Sequence, residues 1–190
     1  MSAAAERSRC GWATSTPEYI AYHDDEWGSP LRGDDALFER LALEAFQSGL
    51  AWITILRKRP AFRAAFAGFA IDAVAAFTEA DEARLMADPG IVRNRAKIAA
   101  AVRNARVARD LPEGLSELLW SFAPTGGRPP PATLSEVPAV TPESTAMAKE
   151  LKRRGFAFVG PTTAYALMQA TGMVDDHVAT CFRAQPSGSP

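Results

Sequence analysis

The chain has 190 residues, 47% of them hydrophobic and 23% charged, and a formal net charge of −1. Such a length and balance can bury a sizeable core as one domain or as two small lobes sharing one, which excludes a disordered or fibrous chain. The near-neutral charge excludes a global basic field, so any nucleic-acid binding has to come from a local patch. The N-terminal MSAAAERSRC lacks the apolar core of a signal peptide, and no window reaches the roughly 20 apolar residues of a membrane span. These features predict a soluble, cytoplasmic protein with no membrane partner, monomeric by default.

Taken in chain order, the predicted elements are helices. DDALFERLALEAFQS (34–48) opens on an N-capping aspartate, carries apolar residues at helical spacing and stops at Gly49. Further helical patterns follow at about 60–67, 72–77, 81–87, 92–109, 114–122, 143–154 and 162–171. TGGRPPPATLSEVPAVTPES (125–144) is the one long breaker-rich segment and reads as a surface loop crossing between lobes. The result is an all-α chain, read as a single domain over 1–190.

Three constellations stand out. The whole chain has two histidines and two cysteines, and MVDDHVATC holds one of each, His177 and Cys181, four apart. On a helix that spacing presents an imidazole and a thiolate to one ion, and Cys10 with His23 at the other end would complete a tetrahedral zinc set. Buried thiols and satisfied histidines remain the alternative from spacing alone, with a Cys10–Cys181 disulfide a weaker one.

The second constellation is aromatic. Residues 9–30 hold Trp12, Tyr19, Tyr22 and Trp27, and EAFQSGLAW adds Glu44 and Trp52. This density suits a stacking pocket, although an ordinary core is the plainer reading. Glu44 lies seven and three residues after Leu37 and Leu41, on the apolar face of its helix, where a carboxylate is costly unless something binds it. A structural ion pair or a polar ligand would each meet that need.

The third is GFAFVGPTTAYALMQATG (155–172), where a helix ending in KRRG, a turn around FVGP and a helix from TTA describe a helix-hairpin-helix over about 145–172. Backbone N–H groups of such a turn can hold a DNA phosphate, and Gly160 allows close approach. An ordinary connection between two helices is the alternative.

RCGW, YIAYHDDEWG, LEAFQSGLAWITIL, KRRGFAFVGPTTAYALMQATGMVDDHV and HVATC together resemble the DNA-3-methyladenine glycosylase I family of helix-hairpin-helix DNA glycosylases, over about residues 9–182. The resemblance implies a two-lobed all-α fold whose terminal segments are joined by structural zinc on Cys10, His23, His177 and Cys181. It implies hydrolysis of the N-glycosidic bond of 3-methyladenine in alkylated double-stranded DNA, with free 3-methyladenine as product. The base would be flipped into a pocket of Trp12, Tyr19, Tyr22, Trp27 and Trp52, with Glu44 accepting hydrogen bonds from its edge. Cation-π attraction of about 0.5–2 kcal/mol would favour a cationic base there.

Leu50, next to Gly49 in the QSGL turn, is the candidate wedge for the vacated stack, or else a buried cap leucine. Val159, Gly160 and Thr162, with the acid-free 93–109 stretch carrying six Arg or Lys residues, are the candidates for phosphate binding. Thr162 stands where superfamily members that also cut the backbone carry lysine, which predicts a glycosylase without lyase activity. Asp175 falls where many members place a catalytic aspartate; it would either stabilise charge on the sugar or cap the helix carrying His177. A non-catalytic zinc-containing reader of modified DNA is the rival reading.

Overall fold

The protein is described here by a computed structural model covering residues 7–184, and every regular element among them is helical. The nine α-helices are α1 (Pro17–Asp25), α2 (Asp34–Gln47), α3 (Trp52–Ala65), α4 (Ile71–Ala75), α5 (Glu79–Ala87), α6 (Arg95–Arg109), α7 (Leu115–Trp120), α8 (Pro142–Arg154) and α9 (Pro161–Ala170). Short 3-10 turns precede α1, α4 and α8.

The central element is α2, which packs against α3, α4, α6, α7 and α9. Its sequence explains this role, since Leu37, Phe38, Leu41, Leu43 and Phe46 are all buried and leave it few solvent-facing positions. The aspartates of its first turn reach outward to order other helices. Asp34 accepts the N–H of Ser116 (2.8 Å) at the start of α7, and Asp35 accepts that of Ile71 (2.9 Å) at the start of α4. Phe46, Phe62, Phe66 and Phe69 then pack ring against ring, centroids 4.8–6.2 Å apart, and join α2 to the end of α3.

Helix boundaries differ from expectation mainly at α3. Pro60 read as a helix start, yet α3 runs from Trp52 straight through it. The proline faces solvent, and burial of Ile55, Leu56, Phe62 and Ala65 along the other side offsets the lost backbone hydrogen bond. Helix α1 was also unforeseen; Thr16 caps it by accepting Tyr19 N–H (3.2 Å), followed by Pro17 in the first turn.

The hairpin between α8 and α9 falls where the sequence places it. A reciprocal Thr141/Ser144 box opens α8, and Gly155 closes it in the left-handed region at φ 106°. The turn is clamped to α6 by the buried Asn104, which donates to Ala157 C=O (3.0 Å) and accepts Ala157 N–H (2.8 Å).

The segment carrying His177 and Cys181 is not helical, contrary to the expectation that a helix presents both to one ion. It is an irregular strap after α9, held against residues 27–29 by His177 Nε2 with Trp27 C=O (3.3 Å) and by Arg183 Nη2 donating to Ser29 Oγ (2.7 Å). Two glycines permit this approach: a Cβ on Gly28 would sit 2.9 Å from His177 Nε2, and one on Gly172 would sit 2.5 Å from Pro30 N. Both have positive φ as well.

Candidate active site and metal centre

Cys10, His23, His177 and Cys181 converge as a buried cluster whose ligand atoms all lie within 4.8 Å of one another. Cys10 Sγ and Cys181 Sγ are each 3.6 Å from His177 Nδ1, and Cys181 Sγ is 3.4 Å from His23 Nε2. A tetrahedral ion with bonds of about 2.0–2.1 Å to nitrogen and 2.3 Å to sulfur demands N–S edges of about 3.5 Å, so these residues fit one. Both cysteines are free thiols, not a disulfide.

Each ligand is oriented from outside. His23 Nδ1 bonds Asp24 (2.8 Å), which Arg9 grips at 2.7–3.0 Å, while His177 Nε2 bonds the Trp27 carbonyl (3.3 Å). The sulfurs accept backbone N–H groups, Cys10 from Val178 and Cys181 from Arg183, both at 3.4 Å. Such outer bonds fix ring tautomers and aim the donor atoms. Burial pushes the Cys10 thiol up to about 12 and the His177 imidazole down to about 4. A Cys10 thiolate here therefore calls for a cation.

Against this cluster lies a cavity of about 460 Å³. Trp12, Tyr19, Tyr22, Trp27, Glu44 and Trp52, drawn from four separate stretches of chain, all line it. Trp12 is the shared wall, its ring 5.7 Å from Tyr19, 5.1 Å from Trp27 and 5.4 Å from His23. The Tyr19 hydroxyl is committed, since it accepts Ile53 N–H (3.0 Å) at the start of α3. Tyr22 tilts over Trp52 at 5.5 Å, and burial pushes its phenol up.

Glu44 projects into the cavity from α2, 6% exposed, and no hydrogen bond or ion pair joins it to another described residue. Burial pushes its carboxyl up to about 8, with Arg40 pulling the other way. Trp52 Nε1 is likewise buried without a partner. The cavity therefore presents an acid and several aromatic faces that the protein itself does not satisfy, a combination that suits a flat, polar, cationic molecule.

Three further contributions were not legible in the sequence. The long loop does not merely cross the surface, because its Leu134, Val137, Pro138 and Ala139 form one wall of the cavity. Helix α9 lines it too, through Thr162, Tyr165, Ala166 and Gln169, so the hairpin's second helix is also cavity lining.

The third is Asp176, 1% exposed, which accepts from Tyr165 Oη (2.6 Å) and Gln169 Nε2 (2.8 Å) and pairs with Arg128 from the long loop. Asp176 lines the cavity, whereas Asp175 does not. Asp175 Oδ1 instead accepts His177 N–H (3.1 Å), and since no helix follows, it brackets a turn of the metal strap and not a helix start.

The DNA-facing candidates are distributed as follows. Leu50 stands 38% exposed in the turn from α2 to α3 beside Gly49 at φ 81°, so it is no buried cap. The N–H groups of Phe158, Val159 and Gly160 donate to no other described residue, and Thr162 follows Pro161 in the first turn of α9.

The basic stretch splits in two. Lys97 donates to the carbonyls of Phe46 (2.9 Å) and Ser48 (2.6 Å) and so fixes the Leu50 turn, and Arg106 donates to those of Ala75 and Phe77. Arg93, Arg95 and Arg103 remain exposed on or beside α6 with no ion pair to a described residue.

A family model described as methyladenine glycosylase matches residues 12–184. A DNA-3-methyladenine glycosylase 1 from Escherichia coli strain K12 is 48% identical over 177 residues, covering 91% of this chain and 95% of the relative. A DNA-3-methyladenine glycosylase from Haemophilus influenzae is 42% identical over 180 residues, covering 92% and 96%. Among solved structures, a variant of 3-methyladenine DNA glycosylase I in complex with 3-methyladenine superposes with a TM-score of 0.88 at 35% identity, over 95% of this chain and 99% of that one.

Proposed function

The chain belongs to the methyladenine glycosylase family, and we propose that its aromatic cavity receives 3-methyladenine flipped out of alkylated duplex DNA and that Glu44 is the residue that recognises it. As a member of that family the protein is a DNA-3-methyladenine glycosylase, hydrolysing the bond between C1′ and N9 and leaving an abasic site; the non-catalytic reader is set aside. The observation that carries the role of Glu44 is its unpartnered, buried carboxyl at a cavity walled by aromatic rings.

An adenine methylated at N3 is a cation, so its bond to the sugar is already weak. Breaking that bond sends the electron pair to the base and quenches its charge, while water adds to C1′ and releases a proton. The protein's share is to extract and hold the base. The rings of Trp12, Trp52, Tyr22 and Trp27 offer π faces, worth about 0.5–2 kcal/mol each for a cation, and ionised Glu44 accepts from the base's polar edge. Tyr19, fixed by its bond to α3, keeps that wall in place.

Leu50 fills the emptied stack, while the free N–H groups of Val159 and Gly160 and the start of α9 at Thr162 hold a phosphate, assisted by Arg93, Arg95 and Arg103. With Thr162 where a lyase carries an amine, the enzyme is monofunctional. Asp175 acts on the backbone of the strap, which leaves Asp176 as the acid able to face the sugar side of the cavity. The Cys10, His23, His177 and Cys181 set takes Zn²⁺, whose closed four-ligand shell leaves no open position for substrate and supplies structure alone. No helix among the described residues is long and apolar enough to cross a membrane.

The test is release of free base from methylated duplex DNA. Wild type should release 3-methyladenine promptly, and Glu44→Gln should be slowed about 100-fold, the scale of losing one preorganised electrostatic contact. Equal rates would remove Glu44 from the recognition step.

A further inference from the structure

Glu44 shares its helix face with a second buried charge. Arg40 precedes it by four residues, one helical turn, and is 8% exposed. Its Nη2 donates to Glu26, and its guanidinium carbon lies 5.8 Å from the centre of the Tyr22 ring at the cavity wall. Its Nη1 is buried with no acceptor. Glu26 is gripped at the same time by Arg59 through two bonds of 2.8 and 2.6 Å. Two guanidiniums against one carboxylate leave a surplus positive charge beside Tyr22 of the cavity wall, and the acid on the same face that lacks a partner is Glu44.

We propose that Arg40 is a positioning residue for base capture: the surplus charge of the Arg40, Glu26 and Arg59 triad keeps the Glu44 carboxyl able to ionise as a cationic base enters the cavity. The inference rests on Glu44 being the base acceptor, as argued above.

Burial alone penalises the Glu44 anion, and Arg40 is the one charge that opposes this penalty. The other groups around the cavity do not take over the task. Tyr22 from α1 and Tyr165 from α9 have phenols pushed up by burial and stay neutral. Glu26, at the end of α1, resists burial and is held at about 2 by Arg59 and Arg40. Arg59 from α3 has both its bonds committed to Glu26. Asp176, which also lines the cavity, is tied to Arg128, Tyr165 and Gln169. Glu44 is therefore the cavity acid left free to change charge with the base, and Arg40 is the cation on its own helix face.

Two variants and two readouts test this. Arg40→Met keeps a long unbranched side chain and leaves Glu26 paired with Arg59, while Arg40→Lys keeps the charge. Single-turnover release of 3-methyladenine from methylated duplex is followed from pH 5.5 to 9, and the Glu44 carboxyl is titrated by carbon-13 NMR in the metal-loaded full chain.

In Arg40→Met the Glu44 midpoint and the rising limb of release should both move up by about 1 pH unit. Release at pH 7 then falls about tenfold and returns to within about twofold of wild type by pH 9, while Arg40→Lys tracks wild type. An unchanged Glu44 midpoint overturns the proposal, whether release is unaffected or lowered equally at every pH. If instead Glu44→Gln releases base as fast as wild type, the premise about Glu44 fails, and that result stands apart from anything Arg40 does.

Discussion

The metal cluster and the base cavity share a wall, yet they treat buried polarity in opposite ways. Trp12 touches both, and Trp27 lines the cavity while its ring packs 4.7 Å from that of His177. In the cluster every ligand has an outer partner, Asp24 and Arg9 behind His23, the Trp27 carbonyl behind His177, and backbone N–H groups on the sulfurs. In the cavity the Glu44 carboxyl has none among the described residues. A closed set of donors stabilises the fold once its ion is bound, whereas an open set costs stability until a ligand arrives. The chain thus places a stabilising and a destabilising feature side by side.

The largest test of that contrast is removal of the metal. Cys181→Ala, or chelation of the bound ion, should lower stability by on the order of 5 kcal/mol, seen as a fall in Tm of about 10–20 °C with loss of the metal in elemental analysis. A variant that melts like wild type would mean that the cluster does not tie the terminal segments together.

The cavity should respond with the opposite sign. Burial raises the folded pKa of Glu44 to about 8 from an ordinary 4.5. Its favourable contribution is therefore complete below about pH 4.5 and is lost as pH rises through 8. Glu44→Gln carries no such penalty, so the ligand-free variant should exceed wild type by at least about 1 kcal/mol at pH 8 and by less at pH 5, even as base release drops. Chemical denaturation at the two pH values checks this, and a variant less stable than wild type at pH 8 would show that Glu44 has a structural partner.

A smaller effect separates the two neighbouring aspartates. Asp176→Asn disturbs the junction of Tyr165, Gln169 and Arg128 at the cavity wall and should slow excision about tenfold, a typical loss for a disturbed supporting bond. Asp175→Asn, whose amide oxygen can still accept His177 N–H, should stay within about twofold, since one backbone bond survives. Single-turnover rates on the same methylated duplex decide, and the reverse order would return the catalytic role to Asp175.

This pair marks where the sequence stops being legible. Glu44 and the hairpin were legible in the residue pattern, as an acid on an apolar helix face and a Gly-Pro turn between two helices, whereas spacing and density alone left the four metal ligands and the aromatic group open between a site and ordinary core, and the family resemblance supplied those sets. Asp175 and Asp176 differ only in which way an irregular strap turns after α9, and no periodicity encodes that. Residues 134–139 became cavity wall for the same reason, because the path of a proline-rich loop is set by distant partners such as the bond from Ala179 N–H to Pro131 C=O. Lys97 and Arg106 look like phosphate ligands in a basic run, yet their carbonyl partners lie 51, 49, 31 and 29 residues away along the chain. Helix existence was legible, whereas the partners of long side chains were not.

The smallest expected effect concerns the hairpin, which repeats the cavity's logic in one residue. Phe158 sits at φ 59°, a left-handed conformation that costs a residue with a β-carbon about 1–2 kcal/mol, and its ring is 45% exposed, so burial returns little of that cost. Its neighbour Ala157 is pinned to Asn104, and the strained position cannot relax without breaking that clamp. Phe158→Gly removes the strain and should raise stability by about 0.5–1 kcal/mol, less than the full strain because glycine is freer in the unfolded chain. If the ring is retained to pack against the DNA backbone, the same variant should bind an abasic-site duplex severalfold more weakly. A gain in stability with unchanged affinity would make Phe158 strained to no purpose at the DNA surface, and a loss of stability would mean the ring is held by packing after all. Opposite signs in the two measurements would place the hairpin with the cavity, among the parts of this molecule that give up stability for a ligand.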